Sequence, residues 1–308
     1  MSLRVAATAG VILCTVALAG CGLGPGAGTS QVSLTVTRDF GSAHVASVSA
    51  AKVPGSETVM RMLERSLRVQ TRYGGGFVES IDGLSGNAGR RDWFYYVNGI
   101  QAPVGAASTR VHRGDRIWWD LHDWSASESI PAVVGSFPEP FVHGTGGRRL
   151  PTALECGSGV RAACQRVSAA LGAVGVPVAS QYIGTGSGTD SLAVDVGTWR
   201  QLSGQLVARL LEKGPSLSGI YARFTGPAGE KLALLDPRGA VRKTLGAGAG
   251  LIAATASGGS QPTWLITGTD VQGVTAAARA LSQSRLRDHF ALAVQGDHSY
   301  PLPLDGAT

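Results

Sequence analysis

The chain has 308 residues, 44% of them hydrophobic and only 16% charged. That is length for two domains and apolar surface enough for buried cores, which excludes a mainly disordered state. The formal charge is +6, but arginine outnumbers lysine 23 to 4 and no basic run exceeds two residues. Scattered charge of this kind matches a GC-rich coding sequence and lacks the stripe of a nucleic-acid binder, so no nucleic-acid partner is expected.

Met1 to Arg4 form a short positive region ahead of an apolar run, Val5 to Ala19. The run is too short to span a membrane and fits a signal peptide. It ends in Leu18-Ala19-Gly20-Cys21, which resembles the bacterial lipobox. That resemblance implies cleavage before Cys21, diacylation of its thiol (a palmitate-type anchor), and a protein held at the outer face of the cytoplasmic membrane. Residues 1–21 are then the signal peptide with its lipobox Cys21, which stays as the mature N-terminus. Residues 22–30, rich in glycine and small side chains, are a flexible tether. Cys14 is discarded with the leader. Cys156 and Cys164 remain, eight positions apart in an extracytoplasmic setting, and a disulfide is expected. The alternative, a two-cysteine metal site, lacks nearby histidines.

Val32 to Thr37 alternate apolar and polar, as a half-buried strand does. His44 to Val48 are its expected hairpin partner. Pro54-Gly55-Ser56 suit a turn and helix N-cap. Val59, Leu63 and Leu67 recur at helical spacing, with Met60 beside them, so a helix is expected up to Tyr73-Gly74-Gly75-Gly76, with Val59, Met60 and Leu63 in the core. Phe77 to Ile81 form a third strand. A glycine-rich loop, Asp82 to Gly89, leads into the richest stretch of the chain. Arg91 to Trp124 hold Trp93, Trp118, Trp119 and Trp124, four of the six tryptophans. Asp92 to Val97 are an aromatic strand, and Asn98-Gly99 suit a type I′ turn. A second strand runs from Arg116 to Leu121. Strand alternation puts Trp93, Tyr95 and Val97 on one face and Phe94 and Tyr96 on the other.

A mixed sheet crossed by one helix is the β-grasp pattern. The motif DWFYYVNGI, then Val104-Gly105, then VHRGDRIWWDL, resembles the bacterial family of domains of unknown function (the 4430-like family) related to the cobalamin-binding β-domain of transcobalamin and intrinsic factor. The resemblance covers about Val32 to Asp123. It implies a small module, residues 31–124, that binds a soluble ligand, with a corrinoid as the leading example. Relatives of that kind close over ligand held by a helical toroid that this chain lacks, so the resemblance also implies a partner: a toroid protein or a membrane transporter. No covalent cofactor is implied. Arg113-Gly114-Asp115 is the turn before the last strand.

Residues 125–148 are rich in proline and glycine and read as a linker, or as an arm on the first domain buried through Val133, Val134, Phe137, Phe141 and Val142. The remainder, 149–308, carries a helix-compatible stretch from Leu154 to Leu171 and short strands near Val176–Ala179 and Ser191–Val196. A helix over Trp199–Glu212 follows, with Leu202, Leu206 and Leu210 on one stripe. Further strands are expected at Ile220–Phe224, Leu232–Leu235, Leu251–Thr255 and Trp264–Thr267. A helix over Val271–Leu281 follows Asp270 as N-cap, and Phe290–Val294 close the chain as its last strand. The fold class is therefore α+β: a β-grasp-like domain plus an α/β or α+β domain with a mixed sheet.

Catalytic motifs are missing: no G-x-S-x-G, no Ser-x-x-Lys and no H-E-x-x-H. The glycine clusters 184–188 and 246–250 match no dinucleotide or P-loop fingerprint and read as loops. The chain is expected to be no enzyme and to hold no metal of its own. His112 and His122 flank the aromatic strands and could meet, one of them serving as an axial ligand to a corrinoid; a surface role is the default for both. The candidate ligand-binding residues are Trp93, Tyr95, Tyr96, Asn98, Trp118 and Trp119. Adjacent Trp118 and Trp119 cannot face the same side, so the sheet is either a binding platform or is covered by the arm, the second domain or a partner. A structural or protein-interaction lipoprotein is the competing reading.

Overall fold

The computed structural model describes residues 29–304 apart from positions 88 and 185; the leader, Cys21 and residues 22–28 lie outside them. The first elements are β1 (Thr29–Arg38) and β2 (Ala43–Val53), an antiparallel hairpin. Val32, Leu34 and Val36 of β1 are buried, while Ser33 and Thr35 between them face the other way. Helix α1 (Val59–Ser66) buries Val59, Met60, Met62 and Leu63. Its cap is Thr58, whose side chain accepts from the Arg61 N–H at 3.2 Å, and not the preceding Pro54–Ser56 turn. The helix stops earlier than its spacing predicts. Leu67 is already extended (φ −141°, ψ 163°), and the next residues form β3 (Val69–Arg72), where β-branched Val69 and Thr71 favour a strand. With β4 (Phe77–Ile81) and β5 (Leu84–Ser85) it makes a small three-stranded sheet.

The aromatic strands are β6 (Arg91–Val97) and β8 (Arg116–Asp123), with the short β7 (Ile100–Gln101) after the Asn98-Gly99 turn. Both turn residues have positive φ, 55° and 74°, as a type I′ turn requires. The main sheet has the order β2-β1-β8-β6-β7, with β1 and β8 parallel at its centre and antiparallel pairs elsewhere. One core, Val59, Leu63, Val36, Ile117 and Trp119 among it, fills the helix side. This is the β-grasp arrangement.

The C-terminal unit begins with β9 (Thr152–Cys156) and α2 (Arg161–Ala173). The stretch expected to be mostly helical thus divides, because Gly157-Ser158-Gly159 intervenes and Gly159 turns with φ 74°. Cys156 and Cys164 are joined across this turn, with Cα atoms 6.1 Å apart. Next come β10 (Ala179–Tyr182), β11 (Leu192–Thr198), and three short helices, α3 (Trp199–Leu202), α4 (Leu206–Glu212) and α5 (Pro215–Ser218). The single helix expected over 199–212 is broken at Ser203-Gly204, two poor helix formers. The buried stripe moves accordingly: Leu206 is exposed, while Val207 and Leu211 are buried.

Strands β12 (Ala222–Thr225), β13 (Lys231–Leu235) and β14 (Val241–Leu245) form a small antiparallel sheet. The chain ends through β15 (Ala249–Thr255), β16 (Thr263–Gly268), α6 (Val271–Ala280), α7 (Gln283–Leu286), β17 (Ala291–Gln295) and β18 (His298–Leu302). Asp270 caps α6, accepting from the Gly273 N–H at 2.8 Å. The large sheet has the order β10-β9-β11-β16-β15-β17-β18, parallel from β10 to β16 and antiparallel beyond. Two strands lack a sequence signal: β14, at the edge of the small sheet, is exposed at four of five positions, and β18, at the edge of the large sheet, contains Pro301, which an edge strand tolerates. The last strand is therefore β18, not the one starting near Phe290.

Helices α2 and α6 cover one face of the large sheet, packing Val167, Leu171, Val274 and Ala277 on Leu154, Val194 and Ile266. Phe137 and Phe141 of the arm belong to this core and lie 6.0 and 5.1 Å from Trp264. The arm therefore does not simply lie on the first unit. The Val133 N–H donates to the Gly99 carbonyl (2.9 Å) and the Gln101 N–H to Pro131 (3.0 Å), while the Val134 N–H donates to Phe290 (3.2 Å). It is hydrogen-bonded to both units at once.

Candidate functional site

Alternation along β6 and β8 divides the aromatic residues between two faces. Trp93, Tyr95 and Trp119 face α1, and Phe94, Tyr96 and Trp118 face the C-terminal unit. On the outer face Phe290, just ahead of β17, sits at the centre of a cluster. Its ring lies 5.1 Å from Trp118, 5.6 Å from Tyr96, 5.3 Å from His122 and 5.2 Å from Phe40, edge-on to each. Edge-to-face pairs of this sort add to the gain from area burial. His122 is itself stacked between Phe94 (4.4 Å) and Phe40 (4.6 Å). Tyr96 and Trp118 are thus covered within the chain and present no open platform. Neither Phe40 nor Phe290 is among the candidate residues read from sequence, since neither belongs to the aromatic run and only the fold brings them to it.

Below this interface a buried carboxylate organises the β1–β2 turn. Asp120 accepts from the Thr37 hydroxyl (2.5 Å), the Phe40 N–H (3.0 Å) and the Gly41 N–H (2.9 Å), and it lies 2.9 Å from His122 Nδ1. Thr37 in turn accepts from the Trp118 indole N–H at 2.7 Å. Burial pushes the Tyr96 phenol well above its ordinary range. Asn98 is fully buried, and its amide is spent on the fold. It donates to Asp115 and to the Gly144 carbonyl, both at 2.9 Å, and accepts from the Arg116 N–H at 2.8 Å. A ligand finds no free edge of Asn98.

Three of the six candidates do share a concavity. Trp93, Tyr95 and Trp119 line a pocket of ≈ 180 Å³ together with Met60, Phe77 and Ala106. Tyr95 stacks on Trp119 at 4.9 Å and its hydroxyl meets Val104 O and Thr109 Oγ1. Burial raises the Tyr95 phenol, partly offset by Thr109. The Trp119 indole N–H is buried without a partner among the described residues. Exposed Phe77 stands at this mouth, with exposed Val104 beside it through the bond its carbonyl accepts from Tyr95, and exposed Tyr73 on the same hairpin as Phe77.

His112 and His122 do not meet. His112 precedes the turn that leads into β8, and His122 lies near the far end of that strand. His112 is beside Asp115, and His122 is enclosed by aromatic rings. His122 is therefore closed to a corrinoid cobalt, while His112 stays partly exposed. The glycine loops turn their N–H groups to carboxylates: Gly184 donates to Glu155 (2.6 Å) and Gly248 to Asp270 (2.7 Å). Asp195 faces Glu155 across β11 and β9, and both are buried. Burial, and then the charge of Glu155, push the Asp195 carboxyl up to about 7. Among the described residues no group of three or more side chains could hold a metal ion, and no helix is long and apolar enough to cross a membrane.

A search among curated proteins gave no match. Among solved structures, a chain from Ruminococcus gnavus ATCC 29149 described as a "putative metal binding protein" is 16% identical over 30% of this chain and 97% of that one, with a TM-score of 0.24. Haptocorrin in complex with Cbi is 18% identical over 31% of this chain and 26% of its own length, with a TM-score of 0.25. Residues 56–123, from the turn before α1 to the end of β8, match the family described as "Domain of unknown function (DUF4430)", and the chain therefore carries a DUF4430 domain in its β-grasp unit.

Proposed function

We propose that this is a non-enzymatic lipoprotein, anchored through Cys21 at the outer face of the cytoplasmic membrane, whose β-grasp unit takes part in binding a soluble ligand for an uptake system. A corrinoid is the leading ligand. The observation that carries the reading is the apolar mouth formed by Trp93, Tyr95 and Trp119 behind exposed Phe77. At ≈ 180 Å³ it is below the usual range for enclosing a ligand, about 300–1,000 Å³. It can grip one edge of a large ligand while a partner, a toroid protein or a transporter, covers the rest.

The test is tryptophan quenching and calorimetry with cobalamin and with cobinamide. Saturable quenching that weakens in Phe77→Ser supports the reading. No signal from either corrinoid at high micromolar concentration, with and without a co-transcribed candidate partner, counts against it. Anchoring is tested separately: Cys21→Ser is expected to leave the membrane fraction.

A second reading is favoured by burial. Tyr96 and Trp118, the face that would make an open platform, are occupied by Phe290 and the arm. On that reading the protein is a structural or interaction lipoprotein, and the corrinoid titrations stay silent while Cys21 is still needed for anchoring.

A further inference from the structure

The C-terminal unit covers only part of the outer face of the β-grasp sheet. The half built from β6 and β8 is aromatic and buried. The half built from β1 and β2 is hydroxylated, with Ser33 opposite Ser49 and Thr35 opposite Ser47. These four side chains floor a cleft of ≈ 590 Å³ between the two units, with Trp118 at the boundary of the two halves. The far wall is Gln283, Arg287 and Asp288, and the arm contributes Ser136 and His143. A cleft of this size at a junction of two units falls in the range of small-molecule sites.

Its charge is set by two guanidinium groups. Arg116, at the start of β8, is half-buried and held by the carbonyls of Phe137 (2.9 Å) and Ser136 (3.4 Å). Burial lowers its proton affinity first; the pull of Glu139 opposes this and the like charge of Arg287 adds to it. Glu139 offsets part of this charge, but its carboxylate is engaged with His143, at 2.6 Å from Nδ1 and 2.9 Å from the backbone N–H, and makes no ion pair with either arginine among the described residues. Neither Arg116 nor Arg287 forms an ion pair among the described residues. Asp288 is the one carboxylate in the lining. Burial holds its carboxyl above the ordinary range against the pull of His44 and Arg287, which weakens it as a counter-charge. His44 Nε2 lies 3.5 Å from Ser47 and adds a further polar group at the cleft. Two unpaired guanidinium groups that repel each other are stabilised by one anion shared between them, and planar forks bind phosphate and carboxylate alike. The hydroxyl floor supplies paired donors and acceptors that a bare anion would leave unused.

We propose that this cleft binds a small anionic polyol: a hydroxylated molecule whose phosphate or carboxylate lies between Arg116 and Arg287 and whose hydroxyls lie on Ser33, Thr35, Ser47 and Ser49. The site is separate from the apolar mouth near Trp93, and the proposal stands or falls independently of corrinoid binding. The experiment is calorimetry on the full chain with glycerol 3-phosphate and glucuronate. Glycerol and glucose are the neutral controls, and inorganic phosphate is the bare anion. One of the two anionic polyols is expected to bind saturably, about tenfold or more tighter than inorganic phosphate, with no heat from the neutral compounds. Arg287→Gln, at an exposed position, is expected to weaken that binding about tenfold or more while leaving Tm unchanged. A Ser33→Ala, Ser47→Ala double variant is expected to lower affinity for the polyol and leave inorganic phosphate unaffected. Response to glycerol 3-phosphate alone identifies the phosphate class, and to glucuronate alone the carboxylate class. The proposal is overturned by silence of both up to about 10 mM, by equal affinity for inorganic phosphate, or by wild-type affinity in Arg287→Gln.

Discussion

Trp118 and Trp119 are consecutive residues of one strand, both almost fully buried, and they belong to different cores. Trp119 stacks on Tyr95 beneath α1, and Trp118 meets Phe290 of the C-terminal unit. A strand can bury both of its faces only when something lies on each. The β-grasp helix covers one face, and the second unit with its arm covers the other. The two units therefore share a hydrophobic core in addition to the one each has alone.

Phe290→Ala removes the ring that touches four others at this boundary. The expected loss is about 3–5 kcal/mol. Urea unfolding followed by tryptophan fluorescence is expected to show one transition in the wild type. The variant is expected to show a lower midpoint, with the units separating. An unchanged midpoint would mean that the shared core contributes little.

Gly41 lies in the β1–β2 turn at φ 82°, and a Cβ there would stand 1.7 Å from the Asp288 carbonyl oxygen. Gly41→Ala combines left-handed strain with a clash against backbone, so a loss of about 2 kcal/mol or more is expected. Gly146 has φ 58° and nothing within 4 Å of the same position. Gly146→Ala is expected to cost only the strain, about 1–2 kcal/mol. Thermal unfolding of the pair separates contact from conformation, and equal Tm losses would refute the close approach.

Cys156 and Cys164 close a short loop between β9 and α2. On the processing and lipidation proposed at Cys21, the protein is expected to titrate no free thiol under denaturing, non-reducing conditions. Reduction is expected to cost about 2–3 kcal/mol from loop entropy. Two reactive thiols before reduction would contradict the pairing.

Asp195 has a proton affinity raised from 3.8 to about 7 in the folded chain. Between those values the unfolded chain releases a proton that the native chain keeps, so this group makes stability fall as pH rises through the window. Asp195→Asn removes the titration. The stability of the variant relative to the wild type is expected to increase from pH 4 to about 7 and then level off. Urea midpoints across that range measure it, and parallel curves would mean that Asp195 ionises normally.

The period of two in Val32–Thr37, the type I′ pair Asn98-Gly99 and the aromatic run of β6 all determine local structure, because a strand's face and a tight turn depend on neighbours in sequence. From these the β-grasp unit, the two-faced division of Trp93–Val97 and the α+β class follow without the tertiary structure. Elements without a local signal do not: the exposed β14, the proline-bearing β18, and the break at Ser203-Gly204 that leaves Leu206 in solvent. What lies on each aromatic face was likewise decided only in three dimensions. Phe40 and Phe290 are 250 positions apart and meet only because the arm brings the second sheet back onto the first. Asn98, read from sequence as a candidate contact, is consumed by Asp115, Gly144 and Arg116, since a hydrogen-bond donor is spent on whatever the fold places beside it. The cleft over Ser33 and Ser47 has the same origin. Its hydroxyls are legible as the polar half of an alternating strand, but Arg287, which gives that polar face a charge to oppose, is supplied from the far end of the chain.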